Sequence, residues 1–253
     1  MRQMRSVLSM TSGPAIGGAA AAAFDPSLYG TAKAYWQADD YAAGSAANLV
    51  TSGTPYSALS LVSGSVTESA AGWNSVSKTL DFARLSDARL RATINGTATR
   101  YVVAQVMDVT SIVQDGVADP ALAYFALRHD TDARFLVARG GGWFAASIFP
   151  WMEFYGYYQA LGSPLMTAGR KVWIYNSEPG VEHKLYENGS VVVNATNMGA
   201  YSPLGGDPQQ FIIGNAPSGS SSAQFRWKAT LVWTAITSTP AQINTALAAY
   251  YSV

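Results

Sequence analysis

The sequence predicts an all-β protein: an antiparallel sandwich of jelly-roll type with a short C-terminal helix and an extended N-terminal arm. Three observations carry this expectation. Short runs rich in Val, Ile, Tyr, Phe and Trp recur along most of the chain. Gly, Asn, Asp, Ser or Pro separates them, as turn residues separate strands. Helical periodicity is confined to the C-terminus, so the strand–helix alternation of a parallel α/β sheet is missing.

The arm comes first. "MRQMRSVLSMTSGPAIGGAAAAAF" places Arg2 and Arg5 before small and apolar residues. A secretory leader begins in this way, but Ser, Thr, Gly and Pro14 break up its apolar part. A Gly/Ala/Ser segment buries too little to offset its ordering entropy alone. The expectation is that a neighbouring subunit holds it. This divides the chain into an arm, residues 1–30, and a sandwich domain, residues 31–253.

The strands follow. "TAKAYWQADD" (31–40) is the first, then "SALSLVSGSV", "SKTLDFARL", "ARLRATI" and "RYVVAQVMDV". In the last of these, Tyr101, Val103, Gln105 and Met107 alternate with Val102, Ala104, Val106 and Asp108, the two-residue period of a strand. "LAYFALRH", "RFLVARG", "WFAASIF" and "RKVWIYNS" come next. "HKLYENGSVVV" reads as a hairpin, because Asn188-Gly189 suits the positive φ angles of a type I′ turn. "QFIIGNA" and "FRWKATLVWTAI" complete the set. Gly214 is expected where a strand bulges or meets a close neighbour. Trp173, Trp227 and Trp233 are expected to fill the space between the sheets.

The helix is "TPAQINTALAAYY". Thr239 suits the N-cap, Pro240 the first helical position, and Gln242 the return bond of a capping box. Ile243, Leu247 and Tyr250 share one face, which should dock on the sandwich.

Three segments then line up in order. "SKTLDFARLSDARLRAT" has a Leu-x-Phe strand, a polar turn with Asp87, and a second strand with Leu90. "RKVWIYNSEPGVEHKLYENGSVVV" has a Trp-bearing strand, a loop and the Leu-Tyr-x-Asn-Gly hairpin. "FIIGNAPSGSSSAQFRWKATLVWTAITSTPAQINTALAAYY" has Ile-Gly-Asn, a polar loop, an aromatic strand and the closing helix. This succession resembles the concanavalin A-like lectin/glucanase sandwich, the laminin-G-like jelly roll, over residues 31–253. Members of that superfamily include lectins, glycosidases, adhesion modules and virion proteins, so the fold alone does not fix a function. The Ala/Gly-rich arm leading into "FDPSLYGTAKAYWQADD", in a chain without cysteine, also resembles virion proteins of tailed bacteriophages.

Composition limits the chemistry. Sixteen basic and sixteen acidic residues cancel, which argues against nucleic acid or an anionic membrane as partner. Charged residues make up 13% of the chain, against a usual share of about 25%. The absence of cysteine removes disulfides, thiolate metal sites and cysteine nucleophiles. No run of about 18 strongly apolar residues occurs to span a bilayer.

The remaining motifs each have an ordinary structural role beside the chemical one. A glycosidase needs two carboxylates flanking the scissile bond. The Glu-x-Asp-x-x-Glu strand of the resembled family is absent, and Glu178, Glu182 and Glu187 fall in loop or turn surroundings, so no catalytic residue is assigned. Asp130 and Asp132 in "RHDTDAR" are weak candidates for calcium, which needs more oxygen ligands than these two supply; a polar strand end is the ordinary reading. No cofactor is expected. The aromatic run "GWFAASIFPWMEFYGYY" is the most unusual stretch. Pro150 should interrupt a central strand and place Trp151, Tyr155, Tyr157 and Tyr158 on an exposed loop or edge. With Trp143 these are the candidates for stacking on sugar rings or a protein partner; core packing with a subunit contact is the blander role.

These readings converge on a structural virion protein of a tailed phage, a capsid decoration or tail-fibre component on the particle surface. Its arm would join other virion proteins in a homo-oligomer, a trimer by analogy with other armed assemblies. The sandwich would face outward and touch host glycans. The alternatives are a bacterial carbohydrate-binding module or adhesin, and a glycoside hydrolase.

Overall fold

The computed structural model describes residues 23–70, 78–83, 88–94, 98, 100–110, 120–121, 124–128, 134–141, 149–154, 158–161, 167–178, 182–195, 210–214, 222–223 and 225–253, with backbone alone for 120–161 and 222–223. In chain order the strands are β1 (Gly30–Gln37), β2 (Tyr41–Ala42), β3 (Ser45–Ala46), β4 (Leu59–Ser63), β5 (Thr67–Ala70), β6 (Lys78–Phe82) and β7 (Arg89–Thr93). Then come β8 (Tyr101–Val109), β9 (Pro120–Ala121), β10 (Tyr124–Arg128), β11 (Arg134–Gly141), β12 (Phe149–Phe154) and β13 (Tyr158–Leu161). The last are β14 (Gly169–Glu178), β15 (Glu182–Glu187), β16 (Ser190–Asn194), β17 (Gln210–Gly214), β18 (Ser222–Ala223) and β19 (Phe225–Ile236), followed by helix α1 (Pro240–Tyr251).

Two antiparallel sheets form the predicted sandwich. One runs β16-β15-β14-β8-β19-β6-β5 and also takes β1, so it has eight strands. The other runs β13-β12-β11-β10-β17-β7-β4-β3-β2. A two-residue parallel pair, β9 with β18, lies apart from both. The twelve-residue β19 organises the eight-stranded sheet. One edge pairs β8 from Arg226 to Trp233; along the other, β6 lies beside Phe225–Trp227 and β1 beside the stretch from Ala229 to Ile236.

The apolar side chains divide into two cores because alternation gives each strand two faces. Between the sheets lie Trp36, Trp173, Trp227, Tyr175, Phe211 and Phe225, with Trp36 stacked on Phe211 at 5.3 Å. On the far face of the eight-stranded sheet, Val102, Ala104, Val106, Val172 and Ile174 lie under α1. This explains why β8 is buried on both sides.

The hairpin at 188–189 is architecture. Asn188 and Gly189 have φ of 47° and 83°, as a type I′ turn requires. Gly214 makes the expected close approach: at φ 102° a Cβ would lie 2.4 Å from the Phe82 ring and 2.5 Å from the Ala88 carbonyl. The capping box forms at Thr239 and Gln242.

Four expectations need correction. Trp233 lies under α1, not between the sheets. A bulge between Trp227 and Ala229 inserts Lys228 and reverses the facing of every later residue of β19. Tyr251 takes the core position on the helix expected for Tyr250, and its hydroxyl lies 2.7 Å from that of Tyr35. Glu178, Glu182 and Glu187 end strands β14 and β15 and do not occupy loops. Pro150 sits inside β12 opposite Gly140. The β12–β13 pairing covers Trp151–Phe154 and does not reach Pro150, so the proline lies outside that ladder.

The leading segment joins the domain before residue 31. Phe24 stacks on Tyr29 at 5.4 Å and packs near Tyr35 and Tyr250, and the Trp233 indole N–H donates to the Pro26 carbonyl. Residues 1–22 lie outside the described residues. No helix among the described residues is long and apolar enough to cross a membrane.

Candidate functional site

The two outer faces of the sandwich differ. α1 and the Phe24 segment cover that of the eight-stranded sheet. The nine-stranded sheet has a polar one. In β7, Leu90 and Ala92 enter the core, while Arg91 and Thr93 are exposed and Arg89 is half-buried. Residues paired across an antiparallel ladder share a face, so the register extends this face strand by strand. The central row runs Ser45, Ser60, Arg91, Ile212, Ala126, Val137, Glu153, Gln159. One flanking row holds Thr93, Gln210, Arg128 and Arg134. The other holds Tyr124, Arg139, Trp151 and Leu161 across β10 to β13, with Arg89 at its β7 end. Ile212 is 1% exposed, so the middle of the face is shielded.

The aromatic candidates separate. Trp151 stands in the Arg139 row of this outer face, on a strand and not on a loop. Tyr158 pairs with Phe154 in the row of Phe211, Leu127 and Leu136, and Phe211 is a core residue. Trp143, Tyr155 and Tyr157 lie outside the described residues, as do Asp130 and Asp132 between β10 and β11. Among the described residues no group of three potential metal ligands occurs.

The carboxylates of β14 and β15 are engaged. Glu187 binds the buried Lys171 ammonium at 2.5 Å and accepts from the Trp173 indole at 2.8 Å. Glu182 pairs with Lys184 at 2.6 Å and accepts from the Asn176 amide, while Arg100 lies 3.5 Å from Glu178. These bonds fit a structural role. His183 is buried, with Nδ1 2.9 Å from the Ser177 hydroxyl; burial pushes its pKa down to about 4 against the opposing pull of Glu182.

A cleft of about 350 Å³ opens beside β1, lined by Asp25, Ser27, Lys33, Leu49, Thr51 and Thr54 among others. The Lys33 ammonium donates to the Thr54 hydroxyl at 2.7 Å. Hydrogen bonds from the Ser27 hydroxyl and N–H hold the Asp25 carboxyl below its usual range. No aromatic side chain lines the cleft, which makes it a poor sugar platform.

The arginine rows were not anticipated from sequence. Their signal was the alternation "ARLRAT", where charged and apolar residues exchange faces with period two. Arg128, Arg134 and Arg139 become part of the same face only through strand pairing.

No known protein-family pattern and no curated protein matches this sequence. Solved structures do match in fold. Domain 4 of AbnA, a GH43 extracellular arabinanase from Geobacillus stearothermophilus solved with arabinotriose, aligns with TM-score 0.59 and 11% identity over 86% of this chain and 98% of that one. Trypanosoma rangeli sialidase aligns with TM-score 0.59 and 8% identity over 85% of this chain, which spans only 32% of the sialidase. The receptor-binding domain of botulinum neurotoxin C/D mosaic serotype gives TM-score 0.57 and 10% identity over 88% of this chain and 51% of that one. At these identities the likeness is one of fold: the chain shares an antiparallel β-sandwich with these proteins.

Proposed function

We propose that this chain is a non-catalytic glycan-binding sandwich whose ligand lies on the outer face of the nine-stranded sheet. The observation that carries the reading is the contrast between the two outer faces. One is apolar and covered by α1; the other exposes Arg91 and Thr93 and places Trp151, Glu153 and Gln159 in adjoining rows. Polar groups that fix orientation beside an aromatic surface are what a sugar site requires. The neighbours solved with arabinotriose or sialic acid support the reading as analogues in fold. The engaged carboxylates of β14 and β15 support binding without hydrolysis.

The finer proposal is that the module is displayed on a tailed-phage virion, tethered through the Ala/Gly-rich leading segment in a homo-oligomer. It rests on the composition of residues 1–22 and on the resemblance drawn from it. An array of bacterial surface glycans probed with the full chain tests the binding reading. Selective binding, weakened by Trp151→Ala and accompanied by no release of sugar, is expected. An array without a single binder overturns it.

A further inference from the structure

The same face carries an excess of one charge. In a chain whose total charge is zero, five of the sixteen basic residues fall on it: Arg89, Arg91, Arg128, Arg134 and Arg139. Glu153 is the one carboxylate in its described rows. We infer that the glycan it takes is acidic, bearing ring carboxylates; this rests on the glycan-binding reading above and names the ligand class.

Three features point to an anion. Arg128 and Arg134 are paired across a register shift in the β10–β11 ladder, which places two residues of like charge at neighbouring positions, an unfavourable arrangement in a sheet. A carboxylate bound between two such positions reverses the sign of that term. Arg91 is exposed and forms no ion pair among the described residues, and the buried Nε of Arg89 finds no hydrogen-bond partner there. A sheet surface serving solubility alone would mix the signs, as the opposite sheet does with Arg100, Glu178, Glu182 and Lys184. Guanidinium also matches a carboxylate with two parallel N–H donors, a geometry suited to recognition.

From β7 to β11 is three strand steps, about 14 Å at about 4.8 Å per strand. The rows of Arg128 and Arg139 lie to either side of the Arg91 row. Trp151 stands one strand beyond Arg139 in the same row.

The test uses the full chain and immobilised glycans ending in uronate or sialate, each beside its carboxyl-reduced form, with inorganic tripolyphosphate as soluble competitor. Binding should concentrate on the carboxylated members, drop tenfold or more on reduction, and drop tenfold or more in R91A and in R139A. Lys184→Ala, on the other sheet, should bind as the parent does, and thermal melting reports whether each variant is folded. If R139A does not fold, R91A and the partial rescue expected of R91K carry the test. Equal binding to the reduced glycans overturns the acidic ligand and leaves glycan binding standing. Binding to no glycan overturns both. Competition by tripolyphosphate as effective as that of soluble glycan reduces the face to a general anion site and overturns the inference.

Discussion

A single amide side chain closes the edge of β1. Asn48 Oδ1 accepts from the N–H groups of Tyr35 and Val50 at 3.0 and 3.1 Å, and its Nδ2 donates to the Lys33 and Tyr56 carbonyls at 3.0 and 2.8 Å. It therefore stands in for a strand along a sheet edge that would otherwise leave backbone groups unpaired. Asn48→Ala should cost about 2–4 kcal/mol, since several partly buried groups lose partners together; chemical denaturation measures it, and a loss under 1 kcal/mol, on the order of a single exposed bond, would show that water replaces the amide. His183 makes a second prediction at this scale. Its folded pKa is depressed to about 4 from the ordinary 6.5, so below 6.5 the unfolded chain binds more protons. The stability it contributes is complete above pH 6.5 and is lost as pH falls toward 4. His183→Gln should flatten that part of the pH–stability curve relative to the parent, by about 1–3 kcal/mol between the two limits. Parallel curves would refute the assignment.

At the scale of elements, one joint ties the 3-10 turn after β1 (Ala38–Asp40), β6 and β19 together. The Lys228 ammonium is 1% exposed; it donates to Asp39 Oδ2 at 2.6 Å and to the Lys78 carbonyl at 3.1 Å. The Lys78 N–H donates to the other Asp39 oxygen at 2.7 Å. Burial lowers the Lys228 pKa, against the pull of Asp39. Asp39→Ala leaves this cation buried and unpaired and should cost about 3–5 kcal/mol, whereas Asp39→Ala with Lys228→Met should recover most of the loss. A double variant as unstable as the single one would place the cost in the backbone bond to Lys78 instead. This joint also marks where sequence reading ends. Strands β1, β8, β14 and β19, the type I′ turn and the capping box were legible because each follows from residues within a few positions of one another, whereas β12 and β13 were not read as strands and the expected strand "WFAASIF" lies largely outside the described residues. Lys228 is the extra residue of a bulge, and bulges depend on the partner strand. One inserted residue sent Trp233 to the other face. Pro150 lies inside β12 opposite Gly140 but outside the pairing with β13, again a fact about neighbours. The arginine face had half a local signal, the alternation in β7; its other arginines joined through pairings that link distant parts of the chain.

At the scale of the whole molecule, the question is where the tether ends and the domain begins. The sequence placed the division at residue 30. Phe24, however, is buried among Tyr29, Tyr35 and Tyr250, and the Pro26 carbonyl accepts from the buried Trp233. Asp25 accepts from Ser27 at the start of the short 3-10 helix that turns the chain into β1. The Phe24 segment and helix α1 thus meet on one face, with Phe24 beside the last turn of α1. Deleting residues 1–22 should leave the melting temperature within about a degree and abolish assembly if that segment is the tether. Deleting residues 1–28 should also uncover the α1 face. Loss of the Phe24 ring and of the Trp233 acceptor amounts to about 3–5 kcal/mol by the usual cost of a buried aromatic. In a chain of this size that is a fall of roughly 6–20 °C. Differential scanning calorimetry on both truncations, with size-exclusion chromatography on the first, separates the roles. If the shorter truncation melts as low as the longer, residues 1–22 belong to the domain. If it assembles as the full chain does, the tether lies elsewhere.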